Sequence, residues 1–138
     1  MARDKYDALG PIYPAIGEEC TTIVGGGPDG LYLYGEAGEG YSGGGIFMDE
    51  GAAVRYYRPS SELCDLLLKA WEAEGEDQKC ELMEYEIKGT SFDAKLIYSD
   101  DINHELSPSE LRNSFLRRRF GDKPVIYPPP PDHMRDMK

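Results

Sequence analysis

The sequence predicts an α+β fold in which a mainly antiparallel sheet of about four to six strands is covered by helices on one face. Alternating apolar and polar residues recur in short segments at residues 31–57 and 80–98, and Gly-rich turns separate several of them. Strands joined by tight turns pair antiparallel. Segments with helical periodicity stand before, between and after these two groups, which is the order expected of an α+β domain.

The first two predicted helices are identified by prolines and by the spacing of apolar residues. Residues 4–24 form the first helical region, and we expect it to start or restart near Pro11, because proline is tolerated in the first turn of a helix but not in its interior. The second helix follows Pro59 and Ser60. Its apolar residues recur at the spacing of one helical face, namely Leu63, Leu66, Leu67, Ala70 and Trp71.

The third predicted helix has the most clearly marked ends. Ser107, Pro108 and Glu110 have the spacing of a capping box with proline at the first helical position. Consecutive arginines at 117–119 stand in the last turns, where positive charge suits the helix dipole, and Gly121 follows them. After this helix we expect an extended, Pro-rich tail at residues 127–131.

Five strands are predicted. In the fourth, Leu82 and Met83 are adjacent apolar residues that break the alternation, which predicts a β-bulge. The predicted strands span residues 31–37, 46–48, 52–57, 80–88 and 92–98.

The chain of 138 residues is long enough for one domain with its own hydrophobic core. We assign residues 1–131 to this domain and residues 132–138 to a frayed C-terminal tail. No apolar run approaches the roughly 18 residues of a membrane span, and the N-terminal sequence is charged and interrupted by prolines, unlike a secretory signal. A cytoplasmic location is therefore expected.

The chain is strongly acidic, with a formal net charge of −11. Residues 1–106 carry 8 Lys and Arg against 22 Asp and Glu, a net charge of −14, whereas residues 107–138 carry 7 against 4, a net charge of +3. Such a surface repels nucleic acid and anionic membranes, and it attracts a basic partner and speeds their encounter. Plain solubility is the alternative explanation of the charge.

No metal or cofactor site is predicted. Cys20, Cys64 and Cys80 are odd in number and far apart, which argues against a disulfide framework and a zinc site. Residues 100–105 (DDINHE) are the densest set of potential ligands, but they lack the spacing of a calcium loop, so a solvated loop is favoured. Residues 38–43 match G-x-G-x-x-G but lead into a predicted strand instead of opening a helix, which favours a flexible hairpin or β-bulge over a dinucleotide site.

The sequence offers no catalytic constellation, and we predict that the protein is not an enzyme. His104 and His133 are the only histidines, and His133 lies in the predicted frayed tail. No G-x-S-x-G nucleophile elbow accompanies them. The alternative is a small-molecule-binding protein or minor enzyme with a pocket between sheet and helices near residues 98–104.

Tyrosine and glutamate alternate on several predicted strands, which favours an interface for a partner rich in Lys and Arg. Tyrosine supplies a large contact area at a small cost in side-chain entropy and is enriched at interfaces. Burial of these tyrosines in the core is the alternative. The residues predicted to bind the partner are Glu81, Glu84, Glu86, Asp100, Asp101, Glu39 and Tyr41.

The order of these parts resembles the YezG-like family of small bacterial antitoxin or immunity proteins. The resemblance covers most of the chain and rests on LYLYGEAGEG, on VRYY with SSELCDLLLKAW, on FDAKLIYSDDI and on SPSELRNSFLRRRFGDKP. It implies a cytoplasmic protein that binds and blocks a toxin domain, often a nuclease, delivered between neighbouring bacteria. It supplies no catalytic residues to transfer to this chain.

The expected function is therefore that of an immunity protein or antitoxin, as in contact-dependent inhibition, which neutralises a cognate toxin domain by occluding its active site. We expect a nuclease as the toxin, and no direct nucleic-acid or membrane partner. A structural subunit of a larger assembly is a third hypothesis. The oligomeric state is left open by the sequence.

Overall fold

Three helices and a six-stranded sheet make up the described part of the chain. The computed structural model describes residues 10–73, 80–89 and 91–127. The α+β prediction and the predicted range of strand number are confirmed. The elements are α1 (Ile12–Val24), β1 (Tyr32–Gly38), β2 (Tyr41–Asp49), β3 (Val54–Tyr57), α2 (Ser61–Ala73), β4 (Leu82–Lys88), β5 (Ser91–Ile97), a 3₁₀ turn (Ser99–Asp101), α3 (Pro108–Phe120) and β6 (Val125–Ile126).

The strand order across the sheet is β5-β4-β1-β2-β3-β6. The first five strands pair antiparallel, and β6 adds to β3 in parallel. Sequence reasoning missed β6, because two residues are too short to display an alternation. This strand forms where the chain returns to the sheet after α3, and the N–H of Val54 donates to the carbonyl of Pro124 at 2.9 Å.

The helices cover both faces of the sheet, so the prediction that they pack on one face was wrong. The side chains of Leu33 and Tyr85 join α1 and α2 in one buried cluster. Those of Tyr32 and Tyr34, which point the other way from β1, pack with Phe115 of α3 in a second cluster. Residues on both faces of β1 are buried because α1 and α2 pack on one face and α3 packs on the other.

The predicted β-bulge in β4 is absent. The pairing of β4 with β1 and with β5 advances one residue at a time without a break. Met83 belongs to the cluster beneath α1 and α2, and Leu82 belongs to the cluster beneath α3. The two adjacent apolar residues therefore reflect a strand that is buried on both faces, and no extra residue is inserted.

Residues 38–43 form a hairpin, one of the two predicted alternatives, and the unbroken pairing of β1 with β2 excludes a β-bulge there. Only Glu39 and Gly40 form the turn, with a left-handed φ of 76° at Gly40, and β2 begins at Tyr41. Gly45 makes room for an aromatic ring, since a Cβ at this position would lie 2.5 Å from Cε2 of Tyr56. The glycines thus allow aromatic side chains to lie flat on β2.

The predicted ends of α3 are confirmed. The N–H of Glu110 donates to Oγ of Ser107 at 3.2 Å, and the N–H of Ser107 donates to the Glu110 carboxylate at 2.9 Å, which completes the capping box. Gly121 ends the helix at a φ of 71°. The start of α1 after Pro11 is also confirmed. The remainder of the first predicted helix (residues 4–9), the Pro-rich tail beyond residue 127, and the predicted boundary at residue 131 lie outside the described residues.

Candidate partner-binding surface

Glu84 and Glu86 project from β4 onto one face of the sheet, but that face is the one covered by α3. Nη2 of Arg118 donates to the two carboxylate oxygens of Glu84 at 2.9 and 3.0 Å, and Arg119 donates to Glu86. Only 13% and 19% of the two glutamate side chains is exposed. Glu84 and Glu86 were predicted to bind a partner, but in the structure each carboxylate is engaged by an arginine of its own chain.

Glu84 also connects the sheet to the aromatic cluster beneath α3. The hydroxyl of Tyr32, a buried residue, donates to Oε2 of Glu84 at 2.6 Å. Burial first, and the contact with Glu84 second, raise the pKa of Tyr32 well above its ordinary value, so the hydroxyl keeps its proton and remains a donor. The Glu84 carboxylate therefore accepts hydrogen bonds from buried Tyr32 and from Arg118 of α3, and this gives it a structural role.

The other predicted residues meet at one end of the sheet. The carbonyl of Glu81 accepts from the N–H of Ala37 at 3.4 Å, and the N–H of Glu81 donates to the carbonyl of Ile97 at 2.9 Å. These two bonds bring the start of β4 beside the ends of β1 and β5. The β1–β2 turn, Glu81 and the loop after β5 therefore share one surface, to which five predicted residues belong: Glu39, Tyr41, Glu81, Asp100 and Asp101.

We call the surface formed by Glu36, Glu39, Glu81, Asp100, Asp101 and Glu105 the acidic end. Residues 36–41, 81 and 98–107, which build it, contain no Lys or Arg. Among close contacts between described basic and acidic side chains, only that of His104 Nε2 with Glu81 Oε2, at 3.4 Å, involves the acidic end. Arg112 of α3 lines the same small pocket as Glu36, but no Lys or Arg forms an ion pair with the acidic end among the described residues, so most of its negative charge is unpaired there.

Two carboxylates at the opposite end of the sheet, those of Asp49 and Glu50, have cationic partners. Nζ of Lys123 lies 2.7 Å from Asp49, and Nε of Arg55 lies 2.7 Å from Glu50. Hydrogen bonds from these cations are the main reason why the pKa values of Asp49 and Glu50 lie below their ordinary range. The acidic end therefore differs from these two carboxylates in the pairing of its charges, which makes it the candidate surface for a cationic partner.

Tyr41 is an exposed aromatic side chain beside these carboxylates. Its side chain follows directly after the β1–β2 turn, and 59% of the residue is exposed. The ring lies against Gly38, where any Cβ would collide with it, so the glycine permits this placement of the ring. An exposed aromatic ring at the same end of the sheet as several carboxylates suits a contact that buries the ring in an interface.

The described residues contain no evident cation site. Within residues 10–73, 80–89 and 91–127, no three His, Cys, Asp or Glu side chains converge on a position that could hold a metal ion. The loop after β5 is organised by its own contacts: Oδ1 of Asn103 accepts from the N–H of Glu105 at 3.0 Å, and Oγ of Ser99 lies 3.5 Å from Nε2 of His104. All three cysteines are free thiols.

A groove lies away from residues 98–104, where the alternative pocket was expected. It has a volume of about 520 Å³ and is open to solvent between α1 and the β4–β5 hairpin. Pro14, Gly17, Tyr85, Ile87 and Phe92 contribute to its lining. Glu18, Thr21 and Ser91 add polar groups to a lining that is otherwise mostly apolar, so the groove suits a packing contact better than a reaction.

Sequence reasoning missed Glu36 and Glu105 in the acidic end and the arginines that bind Glu84 and Glu86. Glu36 is placed there by the pairing of β1 with β4, which no local pattern reveals. A signal for the arginines existed in α3, whose apolar residues Phe115, Leu116 and Phe120 are all buried. A helix with such a face needs a sheet face to cover, and arginines beside that face then meet the glutamates of β4.

No protein-family model matches the chain, and no curated protein matches it either. The resemblance to the YezG-like family therefore stays a prediction. Among the described residues, no helix has both the length and the apolar character required to cross a bilayer.

Proposed function

We propose that this protein is a cytoplasmic immunity protein or antitoxin that binds a basic toxin domain through its acidic end and occludes the toxin's active site. One observation carries the proposal: three separate chain segments that contain no Lys or Arg bring carboxylates and the exposed ring of Tyr41 to the same end of the sheet. A protein that only needs solubility has no requirement for such a local segregation of charge.

The chemistry of the acidic end favours a nuclease domain as the partner. A nuclease presents a cationic groove to the phosphates of its substrate, and closely spaced carboxylates offer that groove the same sign of charge. Long-range attraction then accelerates the encounter, and the charge pattern rejects acidic or neutral surfaces. Tyr41 would supply the buried anchor of the contact. The order of strands and helices that resembles the YezG-like family supports the same function.

The test uses the toxin domain encoded directly beside the gene of this protein, purified and added to the full chain. Asp100→Lys with Asp101→Lys reverses two exposed charges of the acidic end. Asp65→Lys with Glu72→Lys is the matched control, because it makes the same change in net charge at two exposed positions of α2. We expect the first variant to bind at least about tenfold more weakly, chiefly through slower association, and the control to bind as the unchanged protein does.

Three outcomes contradict the proposal. The first is that the neighbouring gene encodes no toxin domain, or one that the full chain neither binds nor inhibits. The second is an equal loss of affinity in both variants, which would assign the effect to net charge alone. The third is an unchanged affinity in the acidic-end variant when circular dichroism confirms its fold, which would remove this surface from the interface.

A further inference from the structure

Strand β5 forms an edge of the sheet, with only β4 beside it in the described part of the chain. The carbonyl of Ile97 is directed towards β4, where it accepts from the N–H of Glu81. Because the direction of backbone polar groups alternates along a strand, Phe92, Ala94 and Leu96 direct their N–H and C=O groups away from β4. The open edge therefore offers a row of donors and acceptors that another strand can pair with.

The side chains of β5 form a pattern that is complementary to itself. The strand reads Ser-Phe-Asp-Ala-Lys-Leu-Ile, with Ala94 at its centre. If a second copy of β5 pairs antiparallel with Ala94 opposite Ala94, then Asp93 faces Lys95 of the other copy, and Phe92 faces Leu96 of the other copy. Each of these pairs occurs twice, because a two-fold axis relates the copies.

Charge selects this register over its neighbours. Centring the pairing on Asp93 places two carboxylates opposite each other, and centring it on Lys95 places two ammonium groups opposite each other. Like charges directly opposite destabilise a pair of strands, whereas opposite charges stabilise it. Within its own chain, Asp93 stands opposite Glu86, a residue of the same sign. Lys95 stands opposite Glu84 in its own chain, and Arg118 and Arg119 line the same groove as Asp93. The pairing with a second copy places Lys95 directly opposite Asp93 as a cross-strand pair of opposite charge.

The apolar groove extends this complementarity on the face of α1 and α2. Phe92 stacks on Tyr85 at a centroid distance of 5.2 Å and is 42% exposed at the edge of the sheet. The Ala94-centred pairing brings Leu96 of the second copy beside Phe92 and next to the groove. The same contact thus joins an apolar pair on one face of the extended sheet to an ion pair on the other face.

We infer that two copies of this chain associate edge to edge through β5, antiparallel about a two-fold axis at Ala94, with Asp93 of each copy facing Lys95 of the other. A twelve-stranded sheet results from the two six-stranded ones. The acidic ends lie at the Ile97 ends of the two strands and point in opposite directions, about 20 Å or more apart. This distance exceeds the screening length at physiological salt, so the net negative charge of each copy does not prevent the contact.

Sedimentation equilibrium over a range of concentrations tests this inference on the full chain. The unchanged protein should approach twice the 15.4 kDa mass of one chain. Asp93→Lys and Lys95→Asp each replace two ion pairs by two like-charge pairs, and each should weaken association roughly ten- to a hundredfold. Combining both substitutions in one chain restores opposite charges and should restore the dimer. Lys88→Glu, at an exposed position outside the proposed pairing, is the control and should leave the dimer intact.

A mixing experiment separates the inference from damage to the fold. The Asp93→Lys variant and the Lys95→Asp variant should associate with each other more tightly than either does with itself, because every facing pair in the mixed dimer has opposite charges. A chain that stays monomeric at all concentrations overturns the inference. So does a dimer whose stability is unaffected by either single substitution, or a mixture in which no mixed dimer forms.

Discussion

The two faces of the sheet are covered by helices in different ways. Beneath α1 and α2 the buried side chains are mostly aliphatic, with Leu33, Leu63 and Leu67 among them. Beneath α3 they are largely aromatic, as in the edge-to-face contact of Tyr32 with Phe120, whose ring centroids are 5.7 Å apart. The second face also has a charged margin, formed where Glu84 and Glu86 meet Arg118 and Arg119.

This difference explains why glutamates on a strand can be mistaken for a binding surface. A sheet face covered by a single helix is incompletely screened from water, so charged residues can stand at its margin if the helix supplies counter-ions. Arg118 and Arg119 do so, and each also lies near an aromatic ring of α3, that of Phe115 at 4.6 Å and that of Phe120 at 5.0 Å from its Cζ. Ion pairing and packing therefore act together on this face, whereas packing prevails on the other.

The largest expected effect is on the aliphatic face. Leu67→Ala removes a buried side chain from the cluster beneath α1 and α2, and we expect the free energy of unfolding to fall by roughly 2–5 kcal/mol. Lys69→Ala, an exposed change on the same helix, is the control and should be close to neutral. Urea denaturation of both variants measures the difference. A near-neutral Leu67→Ala would mean that α2 does not anchor this face.

A smaller effect is expected at the charged margin of the α3 face. Glu84→Ala leaves the buried hydroxyl of Tyr32 without its acceptor, and the free energy of unfolding should fall by about 1–3 kcal/mol. Arg118 is 58% exposed and regains water when its partner is removed, so its share of the loss should be minor.

A double-mutant cycle apportions this loss. Tyr32→Phe combined with Glu84→Ala should cost distinctly less than the sum of the two single substitutions, because each removes the same hydrogen bond. Arg118→Ala combined with Glu84→Ala should depart less from additivity. If the coupling of Glu84 with Arg118 is larger than that with Tyr32, the ion pair accounts for most of the stabilisation by Glu84. The aromatic cluster would then not depend on Glu84.

Local signals were sufficient for most of the fold. The capping box at Ser107, the periodicity of α2 and the turn residues marked the helices and five strands, because each depends on neighbours in sequence. The packing of α3 on the second face of the sheet was not predicted, although the adjacent apolar residues Leu82 and Met83 are the pattern expected of a strand buried on both faces. That pattern has two physical explanations, an inserted residue or burial on both faces, and only the contact with α3 decides between them.

Part of the acidic end could also be predicted from neighbours in sequence, and part of it could not. Glu81, Asp100 and Asp101 belong to the acidic end because β4 starts beside the end of β5, and a hairpin of adjacent strands is readable from sequence. The arginine partners of Glu84 and Glu86 were not predicted because they stand more than thirty residues away on α3. The place of Glu36 and the Glu39–Gly40 turn beside Glu81 depends on the pairing of β1 with β4, which are separated by a whole helix.

The smallest expected effect is a response of the α3 face to acid. The pKa of Glu110 in the capping box is lowered, first by a hydrogen bond from the N–H of Ser107 and second by one from the Ser107 hydroxyl. The pKa of Asp49 is also lowered, mainly by its hydrogen bond with Lys123. A carboxyl group whose pKa is lower in the folded state stabilises the fold above its unfolded pKa, and this contribution is lost as the pH falls through the folded value. The α3 face should therefore lose stability below about pH 4.5.

Glu110→Gln tests this response, with Glu39→Gln as the matched control at an exposed turn. Between pH 7 and pH 3, the stability of the Glu110→Gln variant measured by urea denaturation should fall less steeply than that of the unchanged protein, and the two should converge in acid. The control should keep the original slope. Hydrogen exchange, corrected for its intrinsic dependence on pH, should show the amides of α3 losing protection before those of α2. Simultaneous loss of protection in both helices would mean that the two faces unfold as one unit, and the distinction drawn between them would then concern composition alone.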